Sequence, residues 1–244
     1  MYRFLITPRW LALHVAIGAL VALMVNLGLW QLHRLDERKS VNAQVSRHIA
    51  EPVVDFAAVV TPEVDESAVE WRLVRVTGTY VVDERVFIVN RSQNGAAGRD
   101  IVMPLILEDG GKVLVNRGFI PLTVDIPPTP TGEVTVVGHL RPSQKRSALG
   151  AVDPSEGTLT EMQRIDISRI DRQTSGSLEP MYVQLVESTP PETVLSVVPL
   201  PELTNGPHLS YAFQWFFFSA VALFGWIFVV RRKISEASRA TTSA

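Results

Sequence analysis

Two stretches of this chain, residues 10–30 and 207–230, contain no Asp, Glu, Lys or Arg. Each is about twenty residues long, roughly what a helix rising ~1.5 Å per residue needs to cross a ~30 Å hydrocarbon layer. A globular helix normally keeps a polar face, and these runs have none. The first run is also longer than the roughly 7–15 apolar residues of a cleaved signal, and it closes on Gly28-Leu29-Trp30 without a small-x-small cleavage site. It reads as a retained anchor. The expected organisation is a cytoplasmic N-terminus (1–9), a transmembrane helix (10–30), an extracytoplasmic domain (31–206), a second transmembrane helix (207–230) and a cytoplasmic tail (231–244).

Lys and Arg near the spans set the orientation. Arg231, Arg232, Lys233 and Arg239 follow the second run, whereas residues 187–208 before it hold no Lys or Arg. Arg3 and Arg9 precede the first run, but Arg34, Arg38 and Lys39 follow it, so the second run decides. Both termini are expected in the cytoplasm. The segment between the spans holds 17 of the 23 basic and 24 of the 25 acidic residues, a balance of −7. A domain so acidic has no basic stripe to displace counterions, which argues against nucleic acid as a partner. With no Cys, the chain has no disulfides, thiolate chemistry or Cys-ligated zinc.

Between the spans, residues 31–47 are charged and poor in breakers and should continue the first helix. Residues 51–66, with Pro52 and Pro62, read as a linker. Short β-prone runs follow at 71–82, 85–90, 100–107, 112–120, 133–141 and 181–187, with a loop expected at 92–98. Asp109-Gly110-Gly111 between two apolar runs is a hairpin signal. Residues 142–160 are weakly patterned and read as a surface excursion. Residues 166–173 suggest a short helix capped by Asp166. This pattern predicts an antiparallel β-rich domain, a barrel or a sandwich, and a membrane protein of the α+β class.

Enzyme motifs are missing: there is no nucleophile elbow, phosphate loop or paired-His metal helix, so no enzyme and no metal site is expected. The polar residues at the outer end of the spans say more. Asn205 is a plausible N-cap for the second helix, with Pro207 in its first turn. Helical spacing puts His208, Tyr211 and Trp215 on one face, with Ala212, Ser219 and Ala222 near it and Gln214 beside Tyr211. The small residues there would let another helix approach closely. The first span offers Asn26, Trp30, His33 and Arg34 at similar depth. These residues admit two readings. They form an aromatic interfacial belt, with Gln214 bonded to a neighbouring helix. Alternatively, His208 is an axial haem ligand between aromatic walls, with Arg34 placed for a propionate. Arg91 and Arg117 end two strands that echo each other, Val89-Asn90-Arg91 and Val115-Asn116-Arg117. Each shares its strand face with apolar residues and needs an internal carboxylate or an anionic ligand. Gly78 and Gly118 should mark bulges or close backbone approaches.

The order of motifs resembles the surfeit locus protein 1 family over nearly the whole chain. The resemblance rests on Leu27-Gly28-Leu29-Trp30-Gln31 with Arg34, Gly78-Thr79-Tyr80, Asn90-Arg91 with Gly95 and Gly98, and Met103-Pro104-Leu105. It continues through Val113-Leu114-Val115-Asn116-Arg117-Gly118-Phe119-Ile120-Pro121, Gly138-His139-Leu140-Arg141 and Tyr182-Val183-Gln184-Leu185. It closes on Asn205-Gly206-Pro207-His208-Leu209-Ser210-Tyr211-Ala212-Phe213-Gln214-Trp215. Residues 142–160 match no family feature. The resemblance implies a cytochrome c oxidase assembly factor that aids haem a insertion or stabilises the catalytic subunit. His208 would be the haem a ligand, with that subunit and haem a synthase as expected partners. A permanent accessory subunit without a ligand of its own is the alternative, and an outer-domain enzyme or sensor a more distant one. Too few residues precede the first span for a mitochondrial transit peptide, so a bacterial plasma membrane is the expected location.

Overall fold

A computed structural model describes residues 3–242 apart from Pro62, one of the two prolines of the expected linker, which lies outside the described residues. The chain divides into two compact units: Met1–Ala43 with Glu202–Ala244, and Gln44–Pro201.

The first unit is built on two long helices. Helix α1 runs Pro8–Ala50 after a short 3-10 turn at Arg3–Ile6. Pro8 suits its first position, where a missing N–H costs nothing. The helix continues through the charged residues after Trp30, as their composition predicted.

The Gln44–Pro201 unit takes in the last turns of α1 and continues with β1 (Val54–Asp55), α2 (Phe56–Val59) and α3 (Glu66–Val69). The linker region is thus partly structured, with the Asp65 side chain accepting from the Ser67 backbone N–H ahead of α3. Strand β2 (Leu73–Tyr80) and a 3-10 turn at Val82–Glu84 lead to β3 (Val86–Gln93) and β4 (Ala96–Leu107). The expected loop at 92–98 is instead a two-residue turn. Asn94 and Gly95 both take positive φ (51° and 79°), the conformation that matches strand twist in a tight hairpin. The second hairpin, closed by Asp109-Gly110-Gly111, joins β4 to β5 (Lys112–Pro121) as expected. Then come β6 (Glu133–Pro142), the irregular excursion, β7 (Glu161–Met162), α4 (Ile167–Asp171) and β8 (Met181–Thr189). Asp166 caps α4, accepting from Arg169 N–H. Helix α5 (His208–Thr242) completes the first unit. α1 and the stretch His208–Arg239 of α5 are each long and apolar enough to cross a membrane.

The eight strands form one sheet in the order β1-β2-β6-β8-β5-β4-β3-β7, and β2 also pairs with β4. The pairings therefore return to β2 through β6, β8, β5 and β4. The sheet is mixed, which corrects the antiparallel expectation. Most pairs are antiparallel, but β1 with β2, β3 with β7 and β5 with β8 run parallel. The physical reason is visible in β5, where residues 112–120 are all buried. Val113 and Val115 enter one cluster with Val76, Met103 and Val183. Leu114 enters a second on the opposite face with Val102, Ile170 and Tyr182. A strand covered on both faces carries a continuous apolar run and needs no polar edge.

Gly78 and Gly118 occupy the close approaches expected of them. A Cβ on Gly78 would stand 2.1 Å from the Ile106 carbonyl oxygen, where β2 turns from β6 to β4. Gly118 has φ 131° and lies at a bulge, facing the Ser196 carbonyl. Gly78→Ala should therefore destabilise the protein by roughly 1–3 kcal/mol, the ordinary cost of overpacking. Gly18→Ala, inside helix α1 with nothing within 4 Å, should by contrast not destabilise the protein and can favour the helix by up to about 1 kcal/mol. Chemical denaturation of both variants followed by far-UV circular dichroism would measure the difference.

Candidate functional site

Helix α5 starts at His208, and the Pro207 carbonyl accepts from Tyr211 N–H at 3.1 Å. Asn205 lies ahead of the helix and does not cap it. Its side-chain oxygen accepts instead from Asn42 on α1 at 3.3 Å. The half-buried His208 ring faces α1, with Nδ1 2.8 Å from the Gln31 side-chain oxygen. An amide oxygen only accepts, so in the neutral ring this contact places the proton on Nδ1 and the lone pair on Nε2. Gly206, at φ 63°, sits beside that nitrogen, and a Cβ there would rest 3.5 Å from Nε2. A hydrogen bond to one ring nitrogen is the arrangement by which proteins orient a histidine to ligate through the other.

The other residues expected around His208 are placed differently. Trp215 is half-buried, its ring edge-on to Phe218. Trp30, Tyr211 and Gln214 have exposed side chains, and among the described residues no hydrogen bond joins them to His208. Arg34 is exposed and paired with Glu37 on its own helix at 2.5 Å. Gln31 stands in the Leu27–Gln31 motif, and no local signal marks it as the partner of His208. The contacts between the helices were also missed: Gly28 lies against the Phe216 ring, and Trp226 Nε1 donates to His14 Nδ1 at 3.0 Å. Ala212 and Ser219 are buried, which agrees with small residues admitting a close helix.

Arg117 and Arg91 have different fates. Arg117 is 1% exposed, pairs with Glu192 at 2.5 Å, donates to Thr129 and lies over the Tyr80 ring. It is a closed internal ion pair. In β3 a bulge between Ile88 and Arg91 interrupts the alternation. Arg91 pairs with Asp100 at 3.4 Å, donates to the Gln144 side-chain oxygen, and lines a cavity of about 330 Å³. Burial raises the Asp100 carboxyl above its ordinary range, against the opposing pull of Arg91 and of a hydrogen bond from Asn116.

Trp71 and Arg141 form another wall of this cavity. Trp71 has φ 72°, a conformation a bulky residue takes at a cost of roughly 1–3 kcal/mol. It is held by its N–H to the Leu140 carbonyl and by His139, whose Nδ1 donates to the Trp71 carbonyl at 3.0 Å. The Arg141 guanidinium stacks 3.5 Å over the Trp71 ring. Burial, then the Arg141 charge, lowers the His139 pKa below 6.5, while the bond to Trp71 opposes them.

The unfolded chain accordingly binds the His139 proton at a pH where the folded chain does not, so stability is complete above pH 6.5 and falls as pH drops below it. The midpoint of thermal unfolding should decline on acidification below that value. His139→Asn, which retains a donor for the Trp71 carbonyl, should weaken the decline. Calorimetry across about pH 5–7.5 reads the effect.

Residues 18–220 match the family model of the SURF1 family. A SURF1-like protein of Mycobacterium bovis is 31% identical over 231 residues, covering 91% of this chain and 83% of its own. One from Monosiga brevicollis is 28% identical over 241 residues, covering 90% and 88%. The cytochrome oxidase assembly protein SHY1 of Saccharomyces cerevisiae is 31% identical over 133 residues, covering 50% of this chain and 34% of its own. With the family model matching most of its length, the chain belongs to the SURF1 family.

Proposed function

We propose that this protein is an assembly factor for cytochrome c oxidase, anchored in a bacterial membrane by α1 and α5, which presents haem a to the catalytic subunit through His208. The observation that carries the haem reading is the Gln31–His208 hydrogen bond beside Gly206. The name of the yeast relative supports the client. His208 would be the residue that holds a haem, whose iron would supply a centre able to take an imidazole nitrogen. Gln31 holds the proton at Nδ1 of the neutral ring, so Nε2 is the nitrogen offered, beside Gly206. Trp30, Tyr211 and Trp215 provide aromatic surface near the same helix ends. Gln214 offers a carboxamide on the exposed side of α5, and Arg34 could give up Glu37 for a propionate. None of these groups cleaves or forms a bond, so the role is binding and hand-over rather than catalysis.

Membrane insertion is supported by the uncharged runs and by α5 itself. Phe213, Phe217, Phe224 and Phe228 fall on one helical face and are each more than half exposed. That is costly in water and favourable in lipid. Haem a synthase is the natural upstream partner for such a factor.

His208→Ala should abolish copurification of haem a while the protein still inserts into membranes. Gln31→Ala should weaken haem retention by about tenfold, the usual range for losing a group that orients a ligating histidine. Pyridine haemochrome spectra of the purified variants measure both, and full haem retention in His208→Ala would overturn the haem reading. Stoichiometric copurification with mature oxidase would instead favour an accessory subunit.

The absence of Cys permits a direct test of topology. Leu149→Cys, in the exposed excursion, should react with a membrane-impermeant maleimide in spheroplasts, and Ser235→Cys only after permeabilisation. The reverse pattern would invert the proposed orientation.

A further inference from the structure

Several family-like motifs have no part in the haem reading. Asn90-Arg91, Asn116, Gly138-His139-Leu140-Arg141 and Tyr182-Val183-Gln184 come from β3, β5, β6 and β8. Arg91, Asn116, Arg141, Tyr182 and Gln184 from these motifs all line the single cavity of about 330 Å³ described above. We propose that this cavity is a binding site for a monocarboxylate, independent of any haem at His208.

The argument is one of unused donors. Gln184 spends its amide N–H on the Val198 carbonyl, and Asn116 donates to Asp100. Gln144 accepts from Arg91 and donates to the Tyr182 hydroxyl at 3.1 Å. Tyr182 thus accepts one hydrogen bond and has its own proton still to give. Arg141 makes no hydrogen bond at all among the described residues. It has an ion pair with Glu70 at 3.2 Å and the face of Trp71. Its Nη1 is the nitrogen that faces Glu70, and its Nε is buried without a hydrogen-bond partner. Stacking occupies the flat face of a guanidinium and leaves the in-plane N–H groups, whose fork matches a planar carboxylate. Two other buried guanidinium groups of the unit are more fully engaged, each making at least two side-chain hydrogen bonds. Arg117 meets Glu192, and Arg169 donates to the carbonyls of Pro154, Glu156 and Gly157. Arg141 is left under-used.

The lining selects the charge and shape of the ligand. Arg91 and Arg141 line the cavity with one carboxylate, Asp100, while Glu70 pairs with Arg141 from outside the lining, so the lining itself has a balance of one positive charge. That suits a monoanion, and Asp100 would repel a phosphate dianion. Phe119, Val198 and Pro199 complete the wall and suit an apolar body behind the carboxylate. The volume accommodates a small organic acid or the last residue or two of a polypeptide. The left-handed backbone at Trp71, held by Leu140 and His139, fixes the platform on which Arg141 lies.

The test is titration calorimetry of the full-length protein in detergent with four probes: benzoate, acetyl-Ala-Phe with a free carboxylate, its C-terminal amide, and inorganic phosphate. Saturable binding of benzoate identifies a small acid as the ligand type. Binding of the free-acid peptide alone identifies a polypeptide C-terminus. In either case Arg141→Gln should weaken binding about tenfold or more. Should Arg141→Gln fail to fold, Tyr182→Phe removes the second donor and should weaken binding several-fold. Failure of both carboxylates to bind, equal binding of the amide, tighter binding of phosphate, or undiminished binding by a folded variant would each overturn the proposal.

Discussion

The strand-rich unit depends on one backbone approach, at Gly78. Strand β2 pairs with β6 through residues 73–79 and with β4 through residues 78–80, so the two pairings overlap at Gly78 and Thr79. Only a residue without Cβ lets the Ile106 carbonyl reach that point. Because the pairings return to their starting strand there, alternate side chains from β2, β4, β5, β6 and β8 converge on one apolar cluster. Tyr80, two residues on, extends the strand into the same cluster. It lies beside Arg117, and burial drives its phenol far above the ordinary tyrosine pKa.

That closure also determines what can be done with charge. The unit buries cations only where the fold supplies anions or carbonyls around them. Lys112 has Glu84 and Ser175, and Arg117 has Glu192. Such pairs contribute little net stability but are costly to break, since the surviving partner would be left buried and uncompensated. They fix the segment between α4 and β8 and the segment after β8 against the strands. Against this background the cavity walled by Trp71 and Arg141 stands apart, because its strain and its spare donors do nothing for the packing.

Strands and helices were legible because their signals are local. The period of the apolar residues, the Asp-Gly-Gly turn and the Asp166 cap each act within a few residues, and each appears where expected. The Asn94-Gly95 turn carries a signal just as local, but the small and polar residues around it make the whole stretch 92–98 read as one loop. The parallel pairing of β5 with β8 was not legible. It depends on residues 112–120 being covered on both faces, which only the folded sheet reveals. The face of Arg91 could not be derived from alternation, since a bulge lies between it and Ile88.

The two candidate sites were illegible for a similar reason, carried further. His208 could be identified as unusual from its place at the head of an apolar helix, but the group that defines its chemistry is 177 positions away. Gln31 reaches the ring only because α1 and α5 approach closely, and Gly28, one turn before Gln31, lies against the Phe216 ring. The motif at the end of the first span is therefore one unit with the motif at the start of the second. Glycine sets the separation of the helices, glutamine sets the tautomer, and histidine offers the remaining nitrogen. Bulk added at Gly28 would act on His208 without touching it, by displacing the helix that carries its hydrogen-bond acceptor.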